Sequence, residues 1–121
     1  MCFCQLLMKM KTYLVTMLQP DSHCERIQLH YIESIGLCPE GHGVRMLKDG
    51  ALDIGGQCAI NPSGGLIAMG HPIGPTGIGQ IGEIVMQLRG EAGARQHAGA
   101  RTGLAHMVGV GAVCYVHILQ K

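Results

Sequence analysis

The chain has little aromatic surface. Of its 121 residues none is Trp, one is Phe and three are Tyr, so large aromatic anchors are not available. It also lacks an excess charge of either sign. Nine Lys and Arg against eight Asp and Glu leave a formal net charge of +1, with no basic block and no acidic tail. Nucleic-acid affinity rests on clustered Lys and Arg, so no nucleic acid is expected as a partner. No apolar run reaches the roughly 18 residues that a membrane-spanning helix needs, and no transmembrane segment is expected. No targeting signal is recognised either. The start MCFCQLLMKMKTYLVTML is apolar, but Lys9 and Lys11 fall inside the run, whereas a secretory signal carries its positive charge first. The final ILQK is not a peroxisomal address. Cytoplasmic or organellar residence is expected, with peroxisome and mitochondrion both open.

Cysteine and histidine are present without a pattern. The six cysteines are Cys2, Cys4, Cys24, Cys38, Cys58 and Cys114. An even number allows disulfides, but without a secretory signal reduced thiols are the expectation. Cys2-x-Cys4 stands alone, and the seven histidines show no ligand spacing, so no metal site is expected.

Glycine is plentiful: 19 of 121 residues, against a usual share of roughly 7%. It follows no strict period, which excludes collagen, and it falls in loops between apolar segments. The hydrophobic share of 47% suits a globular protein. The length allows at most one domain, which buries about two-thirds of its unfolded surface.

Residues 1–20 differ from the rest, being Met-rich and free of glycine. Thr12 to Leu18 is a short β-rich run, expected to be an edge strand or part of a disordered start, and Pro20 ends it. Residues 21–121 form the domain proper. Ile27, Tyr31, Ile32 and Ile35 have helical spacing over 24–35, with Gly36 placed to cap the end. Residues 38–57 read as loop. Cys58 to Asn61 is a short buried strand. A helix follows from about Pro75, where proline suits a first turn. Its stripe is Ile78, Ile81, Ile84, Val85 and Leu88, and Gly90 ends it. Gly79 and Gly82 imply a close approach to a neighbouring backbone. Residues 91–100 are a polar connection. Thr102 to His106 is a strand, 107–111 a glycine turn, and Ala112 to Leu119 an apolar strand expected to be buried on both faces of a central sheet. The order of elements indicates the α/β class.

The stretch INPSGGLIAMGHPIGPTGIGQ, Ile60 to Gln80, contains the most pointed feature. Gly70 and Pro72 flank His71. Glycine lets the backbone turn and proline fixes the next φ, so one imidazole is aimed and held. Such a ring takes a proton from a thiol or hydroxyl, or donates a hydrogen bond to an oxyanion. A helix starting at Pro75 adds positive potential at the same place. A purely structural histidine and a phosphate cradle are the competing readings. The second lacks any GxxxxGK[ST].

NPSGGLIAMGHPIGPTG closely resembles the histidine loop of the thiolase family, with its NxxGG and GHPxGxTG elements. IGLCPEG, QLRGEAG and GLAHMVGVGAV resemble the thiolase branch associated with sterol carrier protein. The likeness is strong from Glu33 to Leu119 and weaker from Asp21 to Ile32. It implies part of a thiolase C-terminal domain, with a mixed β-sheet covered by helices. It also implies acyl transfer between 3-ketoacyl-CoA or acyl-CoA and coenzyme A through a cysteine thioester. Coenzyme A would be a substrate rather than a bound cofactor, and partners would be a thiolase N-terminal half or further copies in a homo-oligomer.

By this resemblance His71 activates the nucleophilic cysteine and hydrogen-bonds the thioester oxygen. Gly109 supplies a backbone N–H to a second oxyanion hole. Asn61, Gly64, Gly65, Gly70, Pro72 and Gly74 scaffold the loop. The family's nucleophile motif has no counterpart here. Met107 stands where many thiolases carry an acid/base cysteine, and a thioether holds no proton. The sterol-carrier branch uses a cysteine of a His-Asp-Cys-Phe motif instead. The matching stretch here is DSHC, Asp21 to Cys24, which places His23 or Cys24 at that position. His106, just before the glycine turn, is a candidate for lining the site. A truncated, inactive module that pairs with a full-length thiolase is the alternative function.

Overall fold

The computed structural model describes residues 13–17, 25–109 and 113–121. Its strands are β1 (Tyr13–Met17), β2 (Cys58–Ile60), β3 (Thr102–Gly109) and β4 (Val113–Gln120). Its helices are α1 (Glu25–Ile35), α2 (Gly43–Lys48), α3 (Gly65–Met69) and α4 (Pro75–Arg89), with a 3-10 turn at Gly93–Arg95. The four strands make one mixed sheet in the order β2-β1-β3-β4. β1 runs parallel to β2 and to β3, with Tyr13 opposite both Cys58 and Thr102. β4 returns antiparallel to β3, with Thr102 opposite Gln120. The chain is thus α/β, as the element order indicated.

Strand side chains alternate between faces, and the two cores follow that alternation. On one face Cys58 and Leu104 pack with Ile32 of α1, Cys38 and Leu52. On the other, Ala59 and Ala105 pack with Ile84 and Leu88 of α4. Ile84 is fully buried, a contribution of roughly 1.5–3 kcal/mol. It lies so close to β3 that a Cβ on Gly103 would collide with its Cγ2. This is where helix and sheet backbones need glycine. Gly79 and Gly82, the positions expected from the sequence, meet no such neighbour: Gly82 has open space and Gly79 only the Met69 methyl at 3.8 Å.

The helix signals of the sequence hold. α4 starts with Pro75 in its first turn and ends at Gly90 in the left-handed conformation, φ 80°. Gly36, just after α1, has φ 83°. Ile78 departs from its stripe and is 75% exposed.

Four strand and loop expectations are corrected. β1 lies inside the sheet, hydrogen-bonded on both sides, and is not an edge. The loop at 38–57 contains α2, whose first N–H, on Gly43, donates to the Glu33 carboxylate at 3.0 Å. That bond, with a second from Gly41, holds Glu33 below the usual carboxylate range. β3 continues through the expected glycine turn to Gly109. β4 is an edge strand of the described sheet, exposed along almost its whole length, rather than a strand buried on both faces. Its apolar run reflects surfaces that no other described element covers.

The polar connection at 91–100 is tied down by Gln87. Its side-chain N–H₂ donates to the Arg95 carbonyl at 2.7 Å and to Glu83 Oε1 at 3.1 Å, and its carbonyl accepts from the His97 N–H at 2.8 Å. Arg95 closes the ring with an ion pair to the buried Glu83 at 3.0 Å. His97 is 2% exposed, and its Nδ1 accepts from the Gly55 N–H at 3.1 Å. His97 thus packs the connection against the loop before β2.

Candidate functional site

The loop between β2 and α4 is built from backbone that ordinary residues avoid. Asn61, directly after β2, sits at φ 48°, a region that asparagine tolerates better than most. Gly64 and Gly65 follow at φ 86° and 59° and start α3. Gly70 ends α3 at φ 71°, ψ 178°, which is essentially glycine-only space. Pro72 and Gly74 lead into the first turn of α4. His71 is thereby carried on a short rigid link between two helices, on the exposed surface.

One bond sets its direction. His71 Nδ1 lies 2.9 Å from Thr76 Oγ1, and Thr76 is 8% exposed. A hydroxyl can donate or accept, so the pair is satisfied in either imidazole tautomer. With Nδ1–H donating to Thr76, Nε2 presents a lone pair outward. Thr76 is a site residue that the residue-by-residue reading missed. Its signal was the Thr of the GHPxGxTG element, five residues after the histidine.

The electrostatics at this end of α4 favour negative charge. Gly74 caps the helix without a side chain, Pro75 brings no N–H, and no acidic residue lies in the first turn. The positive end of a 15-residue helix is left to stabilise whatever anion approaches. Beside it opens a cavity of about 210 Å³ bordered by Asn61, Leu66, Met69, Pro72, Thr76 and Gly79. A second hollow of about 230 Å³ lies on the other side of α4, between Gly77, Ile78, Ala105, Met107 and His117. Gln80 borders both and reaches toward the His106 carbonyl at 3.5 Å.

The end of β3 runs past the same turn. A Cβ on Gly77 would stand 3.0 Å from the Met107 methyl, so Met107 covers the start of α4. Gly109, two residues on, closes β3 opposite Val113. His106 alternates to the other face of the sheet. It lies against Tyr31 of α1, ring centroids 4.7 Å apart and tilted, and is 5% exposed, so it does not line the His71 loop. His23 and Cys24 lie outside the described residues. Among those described, no group of three or more His, Cys, Asp or Glu is arranged to hold a metal ion. Among the same residues no helix is long and apolar enough to cross a membrane.

The loop has an apolar lip. Ile67 is 97% exposed and Ile73 82%, and Ile78 and Met69 lie near them in sequence. Apolar side chains gathered at one place on a surface mark an interaction site more often than chance.

Comparison with known proteins assigns this architecture. The sequence profile described as "Thiolase C-terminal domain-like" matches residues 21–121. Human sterol carrier protein 2 is 51% identical over 88 residues, 73% of this chain and 16% of its own. The acetyl-CoA acetyltransferase of Methanothermobacter thermautotrophicus is 48% identical over 91 residues, 74% of this chain and 24% of its own. Benzoylsuccinyl-CoA thiolase subunit BbsB of Thauera aromatica is 40% identical over 85 residues, 69% of this chain and 22% of its own. The solved Ltp2-ChsH2(DUF35) aldolase shares the fold, with a TM-score of 0.69 and 24% identity over 91% of this chain and 26% of that one. The matched region is thus about a quarter or less of each of these proteins. The chain belongs to the thiolase C-terminal domain family.

Proposed function

We propose that this chain supplies the histidine loop of a thiolase-type acyltransferase, acting on acyl-CoA and coenzyme A together with a cysteine nucleophile borne by an N-terminal half. The observation that carries this reading is the aimed imidazole: His71 held by Thr76 at the positive end of α4, beside a cavity. In such a reaction the imidazole takes the thiol proton, and the thiolate attacks the thioester carbon. The developing oxyanion then gains from the helix end and from the Gly109 N–H.

Kinship supports the class of chemistry. On this reading the nucleophile is borne by the N-terminal half, so this chain alone should be inactive. The exposed lip of Ile67, Ile73 and Ile78 is where the reading seats that half. The test is 3-ketoacyl-CoA cleavage by the purified chain, alone and mixed with a separately expressed thiolase N-terminal half. Cleavage in the mixture and not in either part supports the proposal. No cleavage in a mixture that verifiably assembles rejects it.

A second reading rests on β4, whose faces are both exposed and whose outer edge pairs with no other strand among the described residues. An open edge accepts a further strand, so the chain would pair with a full-length thiolase without catalysis of its own. Co-purification with such a partner, without any gain in its activity, favours this second reading.

A further inference from the structure

Cys114 and His106 form a thiol–imidazole pair on the opposite face of the sheet from His71. Cys114 Sγ lies 3.3 Å from His106 Nε2. The register explains the contact: Val116 pairs with His106 and Cys114 with Val108, so the thiol is the diagonal neighbour of the ring on one face. The two groups differ in exposure. Cys114 is on the surface of the edge strand, while His106 is 5% exposed. Tyr31 packs against the ring at 4.7 Å, tilted by 51°. The ring has no other hydrogen-bonding partner among the described residues, since its Nδ1 is buried and unpaired. Burial also holds the imidazole below its ordinary pKa of 6.5, so at neutral pH the ring is uncharged and able to accept a proton. The other described cysteines offer no such chemistry. Cys38 and Cys58 are buried, and burial pushes the Cys58 thiol up to about 12.

We infer that Cys114 is a nucleophilic thiol served by His106, and that it accepts acyl groups from acyl thioesters. The surroundings suit an acyl thioester. No third ligand stands by to make a metal site among the described residues, and no other described cysteine is exposed enough to form a disulfide. Val116 and Ile118, on the same strand face, are 45% and 43% exposed and offer an apolar strip along which an acyl chain can lie. Thioester exchange needs no oxidant. The thiol proton passes to Nε2 as sulfur attacks the acyl carbon. The bond from that carbon to the departing sulfur breaks, and the leaving thiolate takes the proton back. One thioester replaces another, and the buried imidazolium is transient. The site does not use His71 and stands whether or not the loop is catalytic.

The full chain is incubated with octanoyl-CoA near neutral pH, and acylation is followed by intact mass and mapped by peptide analysis. Octanoylation of Cys114 is expected, on the order of a hundredfold faster than that of N-acetylcysteine amide, the gain typical of a positioned base. Cys114→Ser should abolish it, and His106→Gln should slow it to the rate of the small thiol. Absence of acyl transfer to Cys114, a rate equal to that of the small thiol, or a rate unchanged in a folded His106→Gln variant overturns the inference. Should His106→Gln not fold, the comparison of the unsubstituted chain with the small thiol decides alone.

Discussion

The His71 ring and the Thr76 hydroxyl meet at 2.9 Å across the entrance to α4. The bond joins an exposed imidazole to a buried residue, so the first helical turn sets the direction of the ring. Removing the hydroxyl while keeping its shape isolates this effect. Thr76→Val should leave the fold intact and lower kcat of an assembled two-half enzyme by about tenfold or more, since misplacement of a base costs heavily. Steady-state kinetics alongside a circular dichroism melt read both quantities.

Gly70 carries the backbone strain of the loop. At φ 71°, ψ 178° a side chain is disfavoured, although nothing within 4 Å would touch it. Gly70→Ala should therefore cost about 1–3 kcal/mol through conformation alone. Urea denaturation should show the loss. An unchanged midpoint would mean that the loop relaxes freely and does not hold His71.

Gly103 is the converse case, in which space is limiting. Gly103→Ala places a methyl against Ile84 and should cost about 1–3 kcal/mol by overpacking. Combined with Ile84→Ala it should cost clearly less than the sum of the two single changes, because the second removes the obstacle. Additive losses in denaturant melts would contradict the contact.

Much of this was legible in the sequence, and the failures have physical causes. α1 and α4 were readable because their ends are marked by Gly36 and Gly90, and the His71 loop because its glycines and prolines are dense. α2 and α3 were not, at six and five residues. They are too short to show a period and are held by a single carboxylate and by glycine geometry. β4 misled because an apolar run does not by itself show what a strand packs against, and among the described residues β4 is exposed along almost its whole length. Gly103 was overlooked because a strand glycine leaves no pattern, whereas Gly79 and Gly82 stood out on a helix and meet almost nothing.

Acid should weaken the fold in a defined window. Burial holds His97 and His106 below their ordinary 6.5. Below about pH 6.5 the unfolded chain binds protons that the folded chain refuses, so stability falls as pH drops. The fall from these two groups levels off once pH passes below their folded values. Glu33, held below 4.5, adds its loss only nearer the carboxylate range. Denaturant midpoints measured from pH 7.5 to 5 should decline, and His97→Gln should flatten part of the slope.

Gln87 holds the connection between α4 and β3. Gln87→Leu leaves the His97 N–H and the Arg95 carbonyl without their partner, at about 1–3 kcal/mol for the buried His97 N–H left unsatisfied. Hydrogen exchange should show the His97 amide losing protection first.

The most direct test of the account is the turnover of 3-ketoacyl-CoA by a verified assembly of this chain with a thiolase N-terminal half, measured with and without His71→Ala. The account requires cleavage by the unsubstituted assembly and a fall of at least about a hundredfold in kcat with the substitution. An assembly that cleaves equally well without the imidazole would contradict it, and would leave the loop as scaffold.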